Sequence, residues 1–175
     1  MSNTLLIYST TDGHTIKISQ YIQETLEKSG HTVTLLPIEE ITQSLLEAQD
    51  KVVIGASIRY GKHQKTVVDF ISQNKPLLEK KKSAFYTVNL VARKPEKCQP
   101  DTNPYIIKLL AQLDWKPSLQ GVFAGKLNYP KYGFIDRNMI RFIMWMTKGP
   151  TDPKTVKEFT NWDSVTKFSH DIDAL

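Results

Sequence analysis

The stretch Leu5–Thr15 reads LLIYSTTDGHT: an apolar run that stops abruptly at four hydroxyl side chains, an aspartate, a glycine and a histidine. Leu5–Tyr8 has the length and character of a buried strand, and His14–Lys28 carries Ile16, Ile18, Tyr21, Ile22 and Leu26 at mostly helical spacing before Gly30. The hydroxyl cluster therefore occupies a strand-to-helix turn. At a helix N-terminus, free backbone N–H groups beside Ser and Thr hydroxyls make a cradle for a phosphate. Gly13 allows a close backbone approach, and Ser9, Thr10, Thr11 and Thr15 offer O–H donors. No lysine accompanies them, which disfavours nucleoside triphosphate hydrolysis, and the G-x-G-x-x-G dinucleotide fingerprint is absent. The pattern suits a monophosphate held by neutral donors; a simple Ser/Thr/Asp helix cap is the competing reading.

Working outward, strand and helix patterns alternate. Val33–Leu36, Lys51–Ala56, Ser83–Asn89 and Leu119–Leu127 read as strands. Glu39–Ala48, His63–Leu78, Pro104–Leu113 and Asn161–Ile172 read as helices. Five such alternations predict one α/β domain over residues 1–175, a doubly wound, five-stranded parallel sheet with helices on both faces. Ligands of such sheets sit beyond the carboxyl ends of the strands, which selects three loops: Ser9–Thr15, Ser57–Lys62 and Asn89–Cys98. The second brings Arg59, Tyr60 and Gly61; the third brings Leu90, Val91, Ala92, Arg93 and Lys94 but no aromatic ring.

The 175 residues are enough for one domain with a sizeable core, and 40% hydrophobic with 23% charged residues is an ordinary globular composition. The single cysteine, Cys98, cannot form an internal disulfide, which fits a reducing compartment. The N-terminus enters a strand pattern without a charged leader, so no secretory signal is expected. The apolar run Phe142–Met146 is far shorter than the ~20 residues that span a bilayer. A net charge of +5 hides a skewed distribution: −5 over residues 1–50, +8 over 51–100 and +4 over 126–150. The basic segments favour an anionic partner. Nucleic acid is not expected, since no recognised binding motif accompanies them, and no metal site is assigned.

STTDGHT resembles the phosphate loop of flavodoxins, with an extra residue before the glycine. Together with GASIRYG (Gly55–Gly61) and VNLVARKPEK (Val88–Lys97) after the third and fourth strands, it is similar to one flavodoxin-like family in particular, the bacterial quinone-dependent protoporphyrinogen IX dehydrogenases. The resemblance covers nearly the whole chain and implies the flavodoxin strand order 2-1-3-4-5. It also implies FMN as cofactor, with Ser9, Thr10, Thr11, Asp12, Gly13, His14 and Thr15 around the ribityl phosphate. Ser57, Ile58, Arg59, Tyr60 and Gly61, with Asn89, Leu90, Val91 and Ala92, would frame the isoalloxazine. The expected activity is oxidation of protoporphyrinogen IX to protoporphyrin IX in haem synthesis, with electrons passed to menaquinone or ubiquinone. The alternative is a flavodoxin-type one-electron carrier, although such shuttles are typically acidic and the pI here is about 9.2. A third possibility, a flavin-free phosphoacceptor domain, would need an acidic cluster at the strand ends, where only Asp12 and Asp50 stand near. No general base is assigned; His14 and His63 lie near the site but read as loop and helix-start residues.

Residues 128–150, before the last helix, are extra to the alternating units. On a helical projection Ile135, Met139, Phe142 and Met146 share one face, Arg137, Arg141 and Lys148 share another, and Trp145 lies at the border. Such a pattern matches a membrane-lying amphipathic helix. Membrane or substrate docking is therefore expected of Arg137, Arg141, Trp145 and Lys148, and propionate binding of Arg59, Arg93 and Lys94. The expected location is cytoplasmic, peripherally on the inner membrane, and a homo-oligomer remains compatible with the pattern.

Overall fold

A computed structural model describes all residues 1–175. Strand β1 (Asn3–Ser9) pairs in parallel with β2 (Thr32–Pro37) on one side and β3 (Lys51–Arg59) on the other. Leu5, Leu6 and Ile7 face Val52, Val53 and Ile54 in register, and all six are buried. A central parallel strand is covered on both faces, so it needs a continuous apolar run rather than an alternating one. Two-residue strand β4 (Lys62–His63) folds back on β3, and β5 (Lys82–Asn89) and β6 (Leu119–Ala124) extend the sheet in parallel. The order β2-β1-β3-β5-β6 is the expected 2-1-3-4-5 order of the long strands, with β4 as a small antiparallel addition.

Helices α1 (His14–Lys28) and α6 (Trp162–Ala174) cover one face, burying Ile18, Ile22, Leu26, Phe168 and Ile172 against Leu6, Val53 and Tyr86. The short α2 (Gln43–Glu47), α3 (Lys65–Lys80) and α4 (Pro104–Leu113) cover the other, around Leu5, Ile7, Ile54, Phe85 and Trp115. Gly55 is required by packing: a Cβ there would lie 2.1 Å from the Tyr86 ring, which reaches past it to bring its hydroxyl 2.6 Å from Ser19 Oγ on α1.

Three element boundaries differ from the sequence reading. The helix expected over Glu39–Ala48 splits into a 3-10 turn, Ile38–Glu40, and α2, because Thr42 is extended and accepts Leu45 N–H at 3.2 Å as a fresh cap. His63 belongs to β4, so α3 begins at Lys65. The fifth long strand stops at Ala124 instead of running to Leu127: after Gly125 the chain leaves the sheet as β7 (Lys126–Asn128), which pairs antiparallel with β8 (Val156–Glu158). Between β7 and β8 lies α5 (Phe134–Met146), packed through a small cluster of its own: Leu127, Tyr129, Tyr132, Ile140 and Met144. No helix is long and apolar enough to cross a membrane.

Candidate functional site

The β1–α1 loop ends at Gly13, whose φ of +86° makes it a left-handed N-cap, and no side chain caps α1. A Ser/Thr/Asp cap is thus ruled out, and the first-turn N–H groups of α1 lack a side-chain acceptor. Thr15 Oγ1 sits in that first turn, buried and without any hydrogen-bond partner. An unsatisfied buried hydroxyl costs on the order of 1–3 kcal/mol, and beside an open helix N-terminus it marks a place for an anionic ligand. Thr10 Oγ1 accepts Gly13 N–H at 3.0 Å and holds the loop's shape. Behind the loop, Gln64 just ahead of α3 acts as a clasp: its Oε1 accepts from Ser9 Oγ at 3.0 Å, and its Nε2 donates to Thr11 Oγ1 at 3.2 Å. Ser9, Thr11 and Gly13 therefore support the loop, while Thr10, Asp12, His14 and Thr15 face the pocket.

His14 Nε2 lies 2.6 Å from Thr160 Oγ1, which itself donates to Ala124 O at 2.7 Å. Thr160 can then only accept from the ring, so the proton is on Nε2. Burial pushes the His14 pKa down, against the pull of Glu158, whose carboxylate stands 3.8 Å from Nδ1.

The β3–β4 turn places two consecutive residues at positive φ, Tyr60 at +51° and Gly61 at +74°, as tight primed hairpin turns require. Ser57 Oγ is buried and unpartnered, whereas Arg59 Nη1 makes no hydrogen bond but stands 3.4 Å from Asp136 Oδ2. The other end of the Arg59 guanidinium donates to Asp12 in the first loop. Its carbon lies 5.8 Å from the Tyr60 ring centre and 5.4 Å from that of Tyr132. Ile58, Arg59, Tyr60 and Gly61 all line the pocket with Ser57.

In the third loop Asn89 Oδ1 accepts Ala92 N–H at 3.0 Å and Asn103 Nδ2–H at 3.1 Å, starting a 3-10 turn over Leu90–Arg93. Asn89, Leu90, Val91 and Arg93 line the pocket; buried Ala92 packs into the core instead, and Lys94 lies outside the pocket.

Several expected roles change. Arg93 has no free guanidinium for a propionate, because it donates to Leu90 O at 2.8 Å and to Thr147 O at 2.8 Å. Arg137 and Arg141 do not form an exposed cationic stripe. Arg137 donates to the carbonyls of Tyr129 and Tyr132, each at 3.2 Å, and Arg141 to Thr151 O at 2.8 Å. These arginines satisfy backbone carbonyls of the excursion, a tertiary use that spacing does not reveal. Trp145 and Lys148 remain exposed, with Trp145 stacked on Phe142 at 6.1 Å.

The three loops and α5 enclose about 810 Å³ of non-atom space, open mouth included. Ile140, Ile143 and Met144 of α5 and Thr147 at its C-cap form its far wall, and Tyr132, Tyr105 and Lys126 complete it. None of these, nor Gln64, lies in the three loops that the sequence singles out. The third loop supplies no ring; the excursion adds one, Tyr132, whose ring centre lies 5.4 Å from the guanidinium carbon of Arg59 in the second loop. The spacing of Asp136, Ile140, Ile143, Met144 and Thr147 carries the signal: a second helical stripe, masked by the more hydrophobic Ile135–Met146 stripe, which faces outward.

A doubly wound sheet with an anion-ready helix N-terminus and two flanking loops at its carboxyl edge defines a flavodoxin-type protein, and the flavodoxin domain family matches residues 5–154. The oxidised flavodoxin 1 of Bacillus cereus superposes with a TM-score of 0.58 at 15% identity, covering 99% of this chain and 98% of that one. Over 172 residues the chain is 41% identical to protoporphyrinogen IX dehydrogenase (quinone) of Escherichia coli strain K12, covering 98% of this chain and 95% of the relative. The protein of that name from Leishmania major is also 41% identical over 98% of this chain, which spans 74% of the longer relative. The chain belongs to the protoporphyrinogen IX dehydrogenase family of flavodoxin-domain proteins.

Proposed function

We propose that the chain binds FMN in this pocket and oxidises protoporphyrinogen IX to protoporphyrin IX, reducing a membrane quinone. The observation that carries the reading is the Thr15 hydroxyl, buried and partnerless under an uncapped helix N-terminus, in a member of this family. A phosphate there would receive the first-turn N–H groups of α1 and the Thr15 hydroxyl. The exposed Lys126 side chain at the rim adds positive charge, and its field also lowers the His14 pKa. Ser57 Oγ is the unpartnered donor toward the ring end, with Tyr60, Leu90, Val91 and Ile143 as apolar or aromatic walls.

When bound, FMN supplies two-electron redox chemistry, which the protein only orients and tunes. Six electrons and six hydrogens leave the macrocycle in three two-electron steps, and three quinones become three quinols. The residues of this chain shield the pocket and fix the donors; Asp12 is held by Arg59, which keeps its charge compensated near the phosphate end. The test is anaerobic turnover of protoporphyrinogen IX by FMN-loaded protein, with and without quinone. Quinone-dependent formation of protoporphyrin IX supports the reading. A loaded protein that only shuttles single electrons, with no porphyrin formed, overturns it.

The outer face of α5 supports a place at the membrane surface. Its outer face leaves Ile135 74%, Phe142 53%, Trp145 69% and Phe134 80% exposed, with Lys131 and Lys148 as exposed flanking cations. A contiguous apolar stripe of this size on a helix flanked by lysines suits the headgroup boundary of an anionic bilayer, the phase that holds the quinone. Co-sedimentation with anionic vesicles, lost in Phe142→Ser/Trp145→Ser, is the expected result; self-association through the same face, unaffected by vesicles, would replace it.

A further inference from the structure

The proposed substrate carries two propionates on neighbouring rings, so both carboxylates leave the macrocycle from one edge. Neither pocket arginine is free to take them: Arg59 is paired with Asp12 and Asp136, and Arg93 is engaged with carbonyl oxygens. A second depression adjoins the pocket and shares Gly61 and Tyr105 with it. It runs from the β4 turn across the start of α3 to α4. Lys62, Lys65 and Lys108 stand around an apolar floor that includes Val68 and Leu109.

All three lysines are exposed. The one carboxylate in the groove, Asp69, is held by Lys65 at 2.5 Å, and neither Lys62 nor Lys108 pairs with a carboxylate. The groove thus holds a net surplus of cations with apolar surface between them. An amphipathic macrocycle edge bearing two carboxylates has the complementary character. Tyr105, on the shared wall, is part-buried and presents a ring to both spaces.

We infer that the Lys62–Lys65–Lys108 groove binds the propionate edge of the tetrapyrrole and sets its orientation at the pocket mouth. The inference rests on the proposed function. These lysines position the substrate and take no part in electron transfer, so their loss acts on KM and leaves kcat in place.

The experiment compares two porphyrinogen substrates, protoporphyrinogen IX and its dimethyl ester, on FMN-loaded protein under anaerobic conditions. The groove variant is Lys62→Gln/Lys65→Gln/Lys108→Gln. The charge-matched control is Lys28→Gln/Lys116→Gln/Lys167→Gln, at exposed positions away from the groove. The groove variant should raise KM for the diacid about tenfold, as two exposed ion pairs at the strong end of their range allow, and leave KM for the ester and the flavin spectrum as they are. Equal diacid KM values in groove variant and control overturn the inference. Binding of the fluorescent product, protoporphyrin IX, gives a readout without turnover: its Kd should weaken in the groove variant alone, and an unchanged Kd contradicts the groove. Failure of the unmodified protein to oxidise either porphyrinogen would instead defeat the proposed function.

Discussion

Asp136 Oδ2, on α5, stands 3.4 Å from Arg59 Nη1, at the end of β3. The same guanidinium reaches Asp12 in the β1–α1 loop, and Asp136 also accepts the Tyr60 hydroxyl. One cation thus links the β1–α1 loop, the β3–β4 turn and the excursion helix. Arg59 is 15% exposed at its side chain, but both carboxylates are 46% exposed, so each pair contributes at most about 1 kcal/mol. Its importance is geometric: it holds α5 against the pocket.

Asp136→Asn should therefore loosen α5 without unfolding the sheet. Hydrogen exchange of residues 134–146 should speed up several-fold, while amides of β1 and β3 keep their protection. Unchanged exchange in α5 would show that the Leu127–Tyr129–Tyr132–Ile140–Met144 cluster alone holds the helix.

Thr15→Val separates ligand binding from folding. The isosteric swap removes a hydroxyl that has no partner in the protein, so the ligand-free protein should be as stable as before, or more stable by about 1 kcal/mol. FMN affinity should fall by about 10- to 100-fold, the usual value of a hydrogen bond to a charged group. Thermal melting with and without FMN reads both; a loss of stability without FMN would contradict the assignment of Thr15 as a ligand donor.

The parts of this protein that local pattern governs were legible before the structure. Leu5–Ile7 and Val52–Ile54 announce central strands because burial on both faces leaves no room for alternation, and the strand order follows from the resemblance carried by STTDGHT and GASIRYG. What spacing does not encode is how a long cation is used. Arg93, Arg137 and Arg141 look available in sequence, yet each is drawn to backbone carbonyls of irregular segments or helix ends. Gln64 and Tyr132 were hidden for the same reason: each acts on a loop far away in sequence. On α5 the dominant hydrophobic stripe proved to be the outer one, since a helix lying over a pocket needs only Ile140 and Met144 buried.

Gly55→Ala tests the packing beneath the site. Its Cβ would meet the Tyr86 ring at 2.1 Å, and Tyr86 is fully buried against α1. Overpacking of this kind costs about 1–3 kcal/mol or more, and a fall in Tm of several degrees is expected. A Tm equal to that of the parent would mean the ring moves freely, contrary to its contacts with Phe123 and Phe168 at 5.5 and 5.8 Å.

His63 makes stability pH-dependent. Burial pushes its pKa down to about 4 in the folded protein, where Nε2 lies 3.0 Å from Thr87 Oγ1, against an ordinary value of 6.5 once unfolded. Between those values the unfolded chain binds the extra proton, so stability rises with pH through this window and is lost as pH falls from 6.5 toward 4. The full effect is about 3 kcal/mol. Urea denaturation at pH 7 and pH 5 should show this slope in the parent and a shallower one in His63→Gln; identical slopes would assign the acid sensitivity elsewhere, with His14 the next residue lowered by burial.

The central claim is that the α1 N-terminus and the Thr15 hydroxyl anchor the phosphate of a flavin. Equilibrium titration of the flavin-free protein with FMN and with riboflavin, followed by flavin fluorescence, tests it most directly. One FMN should bind per chain, with riboflavin weaker by at least about 100-fold for want of its charge-assisted hydrogen bonds. Equal affinity for the two flavins, or none for either, would contradict the account.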